Sequence, residues 1–479
     1  MGQEIVSSQF SAQDFAAFAA RLREETALLE ALFAGHRFAA DTSIGGFELE
    51  AWLVDAAGRP APLNQAFLER LDNPLVVPEL SVFNVEFNTP QRPLHGPALR
   101  QMHAALDDLW DAAGRTAADL NAGLAMIGIL PTVREQDLTE ARMSRLVRYH
   151  ALNDQILRMR HGQPMLLDIH GREALRTRHH DVMLEAATTS FQLHLQVKQG
   201  EAAAFFNAAV MLSAPLVAAT ANSPYLFGRD LWDETRIPLF EQAVAVGGDV
   251  AGDKPAYRRV TFGSGFLDAS LFELFVENRD HYPPLLPVNL AQPAENLSHL
   301  RLHNGTIWRW NRPLVGFNRD GTPHLRIEHR VMPAGPTVVD CIANAALYYG
   351  LVHELGWAQS PAARMLSFAQ CRANVYAAAR AGLAADLVWL GGRRVAARQL
   401  LLEDLLPLAR RGLRALDMDA ADIDDYLHII EARVGTGRTG AAWQRAFAAR
   451  HGRDLQALTR AYLERQGQGH PVHEWDTDA

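Results

Sequence analysis

Four short segments in which apolar and polar residues alternate constrain the fold of this chain more than any other feature. They cover residues 43–55, 80–88, 188–197 and 324–331. In the first of them, Phe47, Leu49 and Leu53 alternate with Glu48 and Glu50. A period of two predicts a half-buried β-strand, with one face toward a core and the other away from it.

The second faces of these strands carry chemically related side chains: Glu48, Glu50, Glu86, Gln192, His194, Arg326, Glu328 and Arg330. An antiparallel sheet commonly buries one face and leaves the other open. The apolar faces would be covered by the many segments rich in alanine and leucine. We therefore predict a sheet whose open face is a polar trough.

Adjacent Glu48 and Glu50 allow two interpretations. Their like charges repel on one strand face, and solvent, arginine or a bound cation can relieve that repulsion. Taken alone, the segment fits a solvated strand face about as well as a metal site. The repetition of the pattern on three further strands favours the metal site.

The residue types in the trough indicate which metal and which ligand to expect. Magnesium prefers oxygen ligands from a few carboxylates together with substrate phosphates. Arginine matches phosphate and carboxylate groups with its planar fork. A zinc hydrolase would require more histidine or cysteine, and the sequence contains no H-E-x-x-H motif. His194 by itself is weak evidence, because a strand histidine more often has a structural hydrogen bond.

Helical periodicity dominates the rest of the chain. Residues 12–34 and nearly everything after residue 337 have helical spacing, which predicts an α+β protein. Residues 138–160 predict an arginine-rich helix whose polar face meets solvent. A strand at 307–310 would carry Arg309. Residues 396–465 are predicted to be a helical layer that contributes no metal ligand.

Composition excludes several classes of protein. The 479 residues are 48% hydrophobic and 21% charged, with a net charge of −9, which disfavours a general nucleic-acid or anionic-membrane surface. The apolar run near residues 210–221 is interrupted by Ser213 and Pro215 and is interpreted as too short to cross a bilayer. Two cysteines, Cys341 and Cys371, are typical of a reducing cytoplasm.

Five sequence segments occur here in the order found in glutamate–cysteine ligases: GFELEAWLVD, FNVEFNTP, FQLHLQV, ANSPYLFGRDLWDETRIPLF and LRIEHRVMP. The chain resembles the bacterial carboxylate–amine ligase branch of that family over residues 44–357. The resemblance implies a glutamine-synthetase-like fold, in which the antiparallel sheet forms a polar active-site funnel and helices cover it. It divides the chain into a catalytic domain at 1–357 and a helical C-terminal region at 358–479.

The resemblance also implies roles for individual residues. The expected metal ligands are Glu48, Glu50, Glu86, Glu328 and, outside the predicted strand, Glu79. Contacts to the nucleotide are expected from Gln192, His194, Arg309 and Arg330, and catalytic roles from Arg326 and Arg330. The third strand commonly reads His-x-His in this branch, whereas here it reads Gln192-x-His194, which leaves open whether Gln192 binds metal directly.

The implied reaction is an ATP-dependent ligation, with Mg²⁺ or Mn²⁺ as cofactor. A carboxylate substrate, most simply glutamate, would become an acyl phosphate, and an amine such as cysteine would attack it. Phosphoryl transfer to another group, such as a guanidino group, and a non-catalytic nucleotide or small-acid sensor are the alternatives. The expected partners are small molecules, not nucleic acid or membrane, in a cytoplasmic protein that could form a homo-oligomer.

Overall fold

In the computed structural model, residues 4–5, 7–40, 43–246, 258–357 and 366–478 are described. Their largest sheet has eight antiparallel strands. Six of them follow the spatial order β11-β12-β8-β1-β3-β2, and β4 and β5 also pair with β1. The strands are β1 (Ile44–Val54), β2 (Val76–Pro78), β3 (Asn84–Asn88), β4 (Arg92–Pro93), β5 (Gly123–Ala125), β8 (Ser190–Val197), β11 (Asn311–Phe317) and β12 (Pro323–Pro333).

The four alternating segments correspond to β1, β3, β8 and β12, and they are neighbours in this sheet. Their registers place Glu50 opposite Glu86, and His194 opposite Glu328. Because side chains in antiparallel register share a face, the polar positions of all four strands lie on one side. The predicted α+β class, with a polar face on an antiparallel sheet, is confirmed.

Several of the helices cover the other face of the sheet. In chain order, the helices are α1 (Ala12–Ala34), α2 (Asn64–Leu71), α3 (Ala98–Asp119), α4 (Val147–Met159), α5 (Ala202–Thr220), α6 (Arg236–Ala243), α7 (Phe272–His281), α8 (Ser298–Gly305) and α9 (Val338–Trp357). Helix α5 packs on β12 and on α9. The apolar strand residues Phe191, Leu193 and Ile327 are fully buried, so the core lies between sheet and helices.

Helix α5 has the length and hydropathy of a membrane span, contrary to the expectation that its apolar run is too short. Of its most apolar stretch, however, 83% is buried inside the protein. It contacts α9 and the helix at Phe368–Ala381 as well as β12. These features are those of a helix in the protein core. One helix with the length and hydropathy of a membrane span is only weak evidence for a membrane protein.

The C-terminal region is helical, as predicted, but it also contains a hairpin. Its helices are α10 (Phe368–Ala381), α11 (Leu406–Ala415), α12 (Ala420–Thr436), α13 (Gly440–His451) and α14 (Leu455–Gly467). Strands β13 (Asp386–Trp389) and β14 (Arg393–Ala396) form the hairpin. A π-helical segment at Leu400–Leu405 precedes α11, and Gly452, with a φ of +83°, follows α13 where one continuous helix was predicted.

Helices α9 and α11 approach each other closely because Gly350 and Gly412 have no side chains. A Cβ atom at either position would clash with the backbone of the other helix. The predicted division at residue 357 coincides with the end of α9. Residues 358–365, with which the predicted second region begins, lie outside the described residues. The division into two domains remains a prediction.

Two predicted elements have different bounds, and a third element was not predicted. The predicted strand at 80–88 is a strand only from Asn84, since Val82 and Phe83 form a turn and Ser81 makes only an isolated bridge to Met143. The predicted helix at 138–160 begins at Val147, and two short 3₁₀ turns precede it. A hairpin of β6 (Met165–His170) and β7 (Ala174–His179) was not predicted.

Candidate active site

The polar face of the sheet forms the floor of a cavity of about 440 Å³. All the predicted residues except Arg309 line it. They are Glu48, Glu50, Glu79, Glu86, Gln192, His194, Arg326, Glu328 and Arg330. Helix α8 adds Ser298 and Arg301 to the wall, and the first turn of α4 adds Arg148 and Tyr149. The sheet therefore brings together side chains that are up to 282 residues apart in sequence.

Two groups of possible metal ligands lie in this cavity. The first consists of Glu48, His194 and Glu328, from three adjacent strands, and their ligand atoms lie within 4.8 Å of one another. The Nε2 atom of His194 is 3.3 Å from Glu48 Oε1 and 3.9 Å from Glu328 Oε1. Both His194 ring nitrogens are buried without a hydrogen bond to any described residue. A buried nitrogen of this kind suits a metal ligand.

The second group consists of Glu50, Glu79 and Glu86, again with ligand atoms within 4.8 Å of one another. Strand β2 ends at Pro78, so Glu79 reaches the cavity from the loop that follows it. The Ser190 amide donates to Glu50 Oε2 at 2.6 Å, and Gln192 Nε2 donates to Glu50 Oε1 at 2.8 Å. Gln192 thus orients a carboxylate of the group rather than belonging to it.

Electrostatics differ sharply between the two groups. Burial alone would raise the pKa of Glu48, but the attraction of His194 lowers it to about 2. Burial would likewise raise the pKa of Glu328, but Arg312 and Arg330 hold it well below its ordinary value. Glu48 and Glu328 are therefore ionised at neutral pH, because neighbouring side chains favour their charged form.

The pKa values of the carboxyl groups in the second group are raised instead of lowered. Burial raises the pKa of Glu50 to about 7 despite the attraction of Arg330. Burial and the charge of Glu50 raise the pKa of Glu79 to about 7, and burial with the charge of Glu48 raises that of Glu86 well above its ordinary value. The side chains around these three carboxylates supply too little positive charge to keep all of them ionised. A bound cation would supply the missing charge.

Arginines of β11 and β12 lie beside the first group on the same side of the cavity. Arg312 forms a fork with Glu328, with Nε to Oε2 at 2.6 Å and Nη2 to Oε1 at 2.8 Å. Arg330 donates to Glu328 Oε2 at 3.2 Å and also to Gln192 Oε1. It thereby connects the first group to the glutamine that orients Glu50. The Nε of Arg326 is buried in the wall without a hydrogen bond to any described residue.

Arg309 was predicted as a nucleotide contact, and the structure places it elsewhere. Its Nη2 donates to Asn278 Oδ1 at 2.8 Å and lies 3.2 Å from Glu277 Oε1, outside the cavity lining. The predicted strand at 307–310 begins instead at Asn311. Because β11 begins at Asn311, Arg312 lies opposite Glu328 in the pairing of β11 with β12 and faces the cavity. An arginine of this strand does line the cavity, but it is Arg312 and not the predicted Arg309.

Sequence reasoning missed three further lining residues, Arg148, Tyr149 and Glu185. Arg148 and Tyr149 were assigned to a solvated helix face, yet the helix starts only at Val147 and presents its first turn to the cavity. Glu185 lies on a short 3₁₀ turn, Glu185–Ala187, just before β8. No periodic pattern could have identified Glu185, because it belongs to neither a strand nor a long helix.

Divalent cations fit both groups by the chemistry of the donors. The second group supplies only oxygen, which Mg²⁺ and Mn²⁺ prefer, and the first adds a single imidazole. None of the described residues after Arg330 lines the cavity or belongs to either group. Metal binding by each residue remains a prediction.

A family model shows the family of this chain, and a solved structure shows its fold. A model of glutamate-cysteine ligase family 2 matches residues 44–464. The crystal structure of glutamate–cysteine ligase from Francisella tularensis in complex with AMP has a TM-score of 0.56 at 14% identity, over 92% of this chain and 91% of that one.

A bifunctional glutathione synthetase from Pasteurella multocida has a TM-score of 0.49 at 11% identity, over 92% of this chain and 55% of that one. A search of curated protein sequences gives no significant match. Because the family model covers well over half of the sequence, the chain belongs to glutamate–cysteine ligase family 2 and is an ATP-dependent carboxylate–amine ligase.

Proposed function

We propose that this enzyme joins the γ-carboxyl group of glutamate to an amine, with cysteine as the first amine to test, and that it uses Mg²⁺ or Mn²⁺. The observation that supports this proposal is the pair of ligand groups on one sheet face with arginines beside them. Such an arrangement can hold a nucleotide phosphate between cations and guanidinium groups.

The reaction has two steps. An oxygen of the substrate carboxylate attacks the γ-phosphorus of ATP, the bond from that phosphorus to the bridging oxygen breaks, and ADP leaves. The amine nitrogen then attacks the carbonyl carbon of the acyl phosphate, the C–O bond to phosphate breaks, and inorganic phosphate leaves as the amide forms. Divalent cations bound by the two groups would neutralise phosphate charge in the first step.

The chain's own residues would position and stabilise rather than form covalent bonds. Arg330 and Arg326 would contact the transferred phosphate or the substrate carboxylate, because their guanidinium groups line the same cavity as the ligand groups. Arg312 holds Glu328 in one orientation through its fork. Gln192 does the same for Glu50. Fixed orientation of this kind supplies much of the rate in phosphoryl transfer.

The cavity must also accommodate the adenine base of ATP, which is largely apolar. Trp308, Leu302, Leu314 and Phe275 line the same cavity as Arg301 and Arg312. An aromatic and aliphatic wall next to arginines suits a nucleobase attached to a phosphate chain. This supports binding of the adenine at the α8 and β11 side, with the phosphates directed toward the sheet.

The test is ADP release in a matrix of acids and amines with Mg²⁺, Mn²⁺ or EDTA. The proposal expects release that requires glutamate, an amine and a divalent cation together. Release with another acid but not with glutamate would contradict the proposed substrate. ADP release with a guanidino compound and no carboxylic acid would identify the alternative phosphoryl transfer.

Localisation and assembly are further proposals. Two free, buried cysteines, Cys341 and Cys371, support a reducing compartment such as the cytoplasm. Homo-oligomer formation rests on the sequence expectation, and measuring the mass of the purified enzyme in solution would test it.

A further inference from the structure

Helix α1 buries a carboxylate in its otherwise apolar face. Phe18, Leu22, Leu29 and Phe33 form the buried stripe of this helix, and Glu25 occupies the same stripe with none of its surface exposed. Burying a carboxylate costs free energy unless hydrogen bonds replace those that it made to water. A residue that breaks the apolar pattern in this way is expected where a protein needs more than packing.

The hydrogen bonds that compensate Glu25 come from the first turn of helix α8. Nδ1 of His299 lies 2.7 Å from Glu25 Oε1, and the Leu300 amide donates to Oε2 at 2.8 Å. The other ring nitrogen of His299, Nε2, accepts the Leu290 amide at 3.2 Å, so the ring proton lies on Nδ1 and is donated to Glu25. Both carboxylate oxygens are therefore engaged by α8.

Helix α8 depends on this acceptor because the residue at its start cannot cap it. The helix has eight residues and begins after Leu297, whose φ is +52°. A helix of this length is not stable by itself in water, and leucine is unfavourable in the left-handed region. Leucine also has no side-chain oxygen to accept the amides of the first turn. Glu25 supplies the acceptor, and its negative charge lies at the positive end of the helix dipole.

The capped turn belongs to the lining of the active-site cavity. Four cavity-lining residues of this region form what we call the α8 wall: Gln292, Ser298, Arg301 and Leu302. Ser298 Oγ donates to Gln292 Oε1 at 2.6 Å, and Arg21 of α1 donates to the Gln292 carbonyl at 2.9 Å. Helix α1 therefore holds the α8 wall at two points, through Glu25 and through Arg21.

We propose that Glu25 is a positioning residue of the nucleotide site, which holds the α8 wall from helix α1 in the arrangement that binds the adenine end of ATP. The inference rests on the proposed placement of the adenine at the α8 and β11 side. Helix α1 lies before the residues that the family model matches, so the family assignment does not supply this role.

The effect of losing Glu25 should be confined to one end of the cavity. The other end of α8 is held separately, because Asn304 Nδ2 donates to the Pro313 carbonyl of β11 at 2.8 Å. The two ligand groups lie on the sheet and on the loop after β2, and neither contains a residue of α8. Nucleotide affinity should therefore fall, while the binding of glutamate and the chemical steps stay nearly unchanged.

The experiment measures the Kd for ADP with Mg²⁺, without acid or amine, by calorimetric titration of the wild type and of Glu25→Gln. Glutamine keeps the size of the side chain, but its amide nitrogen places a donor opposite a donor of α8. The Kd for ADP should rise about 10-fold. In the ADP-release assay the KM for ATP should rise by a similar factor, whereas the KM for glutamate and the turnover at saturating ATP should stay close to those of the wild type.

Two further variants complete the design. Arg21→Met removes the hydrogen bond to Gln292 and leaves both bonds between Glu25 and α8. It should raise the Kd for ADP about two- to fivefold, so the proposal stays testable if Glu25→Gln does not fold. Glu30→Gln is the matched control, because Glu30 lies on the exposed face of the same helix, and its Kd for ADP should equal that of the wild type. Thermal unfolding of each variant checks the folded fraction.

Two outcomes would overturn the inference. An unchanged Kd for ADP in folded Glu25→Gln or, if that variant does not fold, in Arg21→Met would show that these contacts only anchor α1 to the body of the protein. Equal rises in the KM values for ATP and glutamate would show a general loosening of the cavity. A wild type that binds ADP but releases none with glutamate and an amine would refute the proposed reaction instead, and the comparison of ADP affinities would still stand.

Discussion

The two ligand groups lie on the same face of one sheet, yet they reach opposite electrostatic states. Glu48 and Glu328 have lowered pKa values because His194, Arg312 and Arg330 lie beside them. The pKa values of Glu50, Glu79 and Glu86 are raised because burial and mutual repulsion outweigh the attraction of Arg330. The first group has its compensating charge built into the protein, and the second depends on a bound cation for it.

Removing a carboxylate of the first group should have the largest effect. Glu328→Gln abolishes a ligand and the partner of the Arg312 fork at once. We expect ADP release with saturating substrates to fall on the order of 100- to 1,000-fold, as for loss of a preorganised charged group in other active sites. A steady-state assay of purified protein measures this. Near-normal turnover would show that the first group is not part of the reaction site.

The next effect concerns the arginine that connects the two groups. Arg330→Lys keeps the charge but loses the planar guanidinium group, whose Nη1 donates to both Gln192 and Glu328. Turnover should fall about 10- to 100-fold, with little change in the denaturation midpoint. If Arg330 merely balances the carboxylate charge, the lysine variant should release ADP at the wild-type rate at saturating ATP and acid, and that result would contradict a ligand-holding role.

The pH dependence of metal binding should separate the two groups. Glu50 has an ordinary pKa of 4.5 that rises to about 7 in the folded protein without metal. Between these values the folded state binds more protons than the unfolded state, so this group's contribution to stability falls as pH rises. Metal must displace the proton, so Mg²⁺ affinity should increase up to about pH 7, by roughly tenfold per pH unit for each proton released.

Calorimetric titration with Mg²⁺ at about pH 6 and about pH 8, in buffers of different ionisation enthalpy, measures both affinity and proton release. The first group should contribute little to that release, because Glu48 and Glu328 are already ionised. Equal affinity at both pH values and no proton release would show that the contrast between the groups is wrong.

The smallest effect on activity is expected from Arg309→Lys. This arginine contacts Asn278 and Glu277 outside the cavity, so the KM for ATP and turnover per folded molecule should stay close to those of the wild type. The buried hydrogen bond to Asn278 is lost, which should lower the free energy of unfolding by about 1–3 kcal/mol. Denaturant unfolding combined with an ATP titration measures both quantities. A specific rise in the KM for ATP would return Arg309 to the nucleotide site.

The period-two pattern alone was enough to predict most of the residues that form the floor of the cavity. Alternation phase was enough to place Glu48, Glu50, Glu86, His194 and Glu328 on one face, because register in a sheet with one buried face is fixed by its apolar side chains. The strand predicted at 307–310 had no such pattern to fix it, and it placed Arg309 instead of Arg312 in the site. Trp310 ends an irregular segment, and a shift in the strand start replaces Arg309 with Arg312.

What the sequence by itself determined were the α+β class, the polar sheet face and the family, since all three are carried by local periodicity and ordered segments. Only the tertiary structure decided that β12 lies beside β8 and not beside β1, that the loop residue Glu79 joins Glu50 and Glu86, and that Arg148 and Glu185 enter the cavity. The physical reason is that periodicity fixes the face on which a strand side chain lies. The chain path, helix starts and loop conformations depend on packing between residues far apart in sequence.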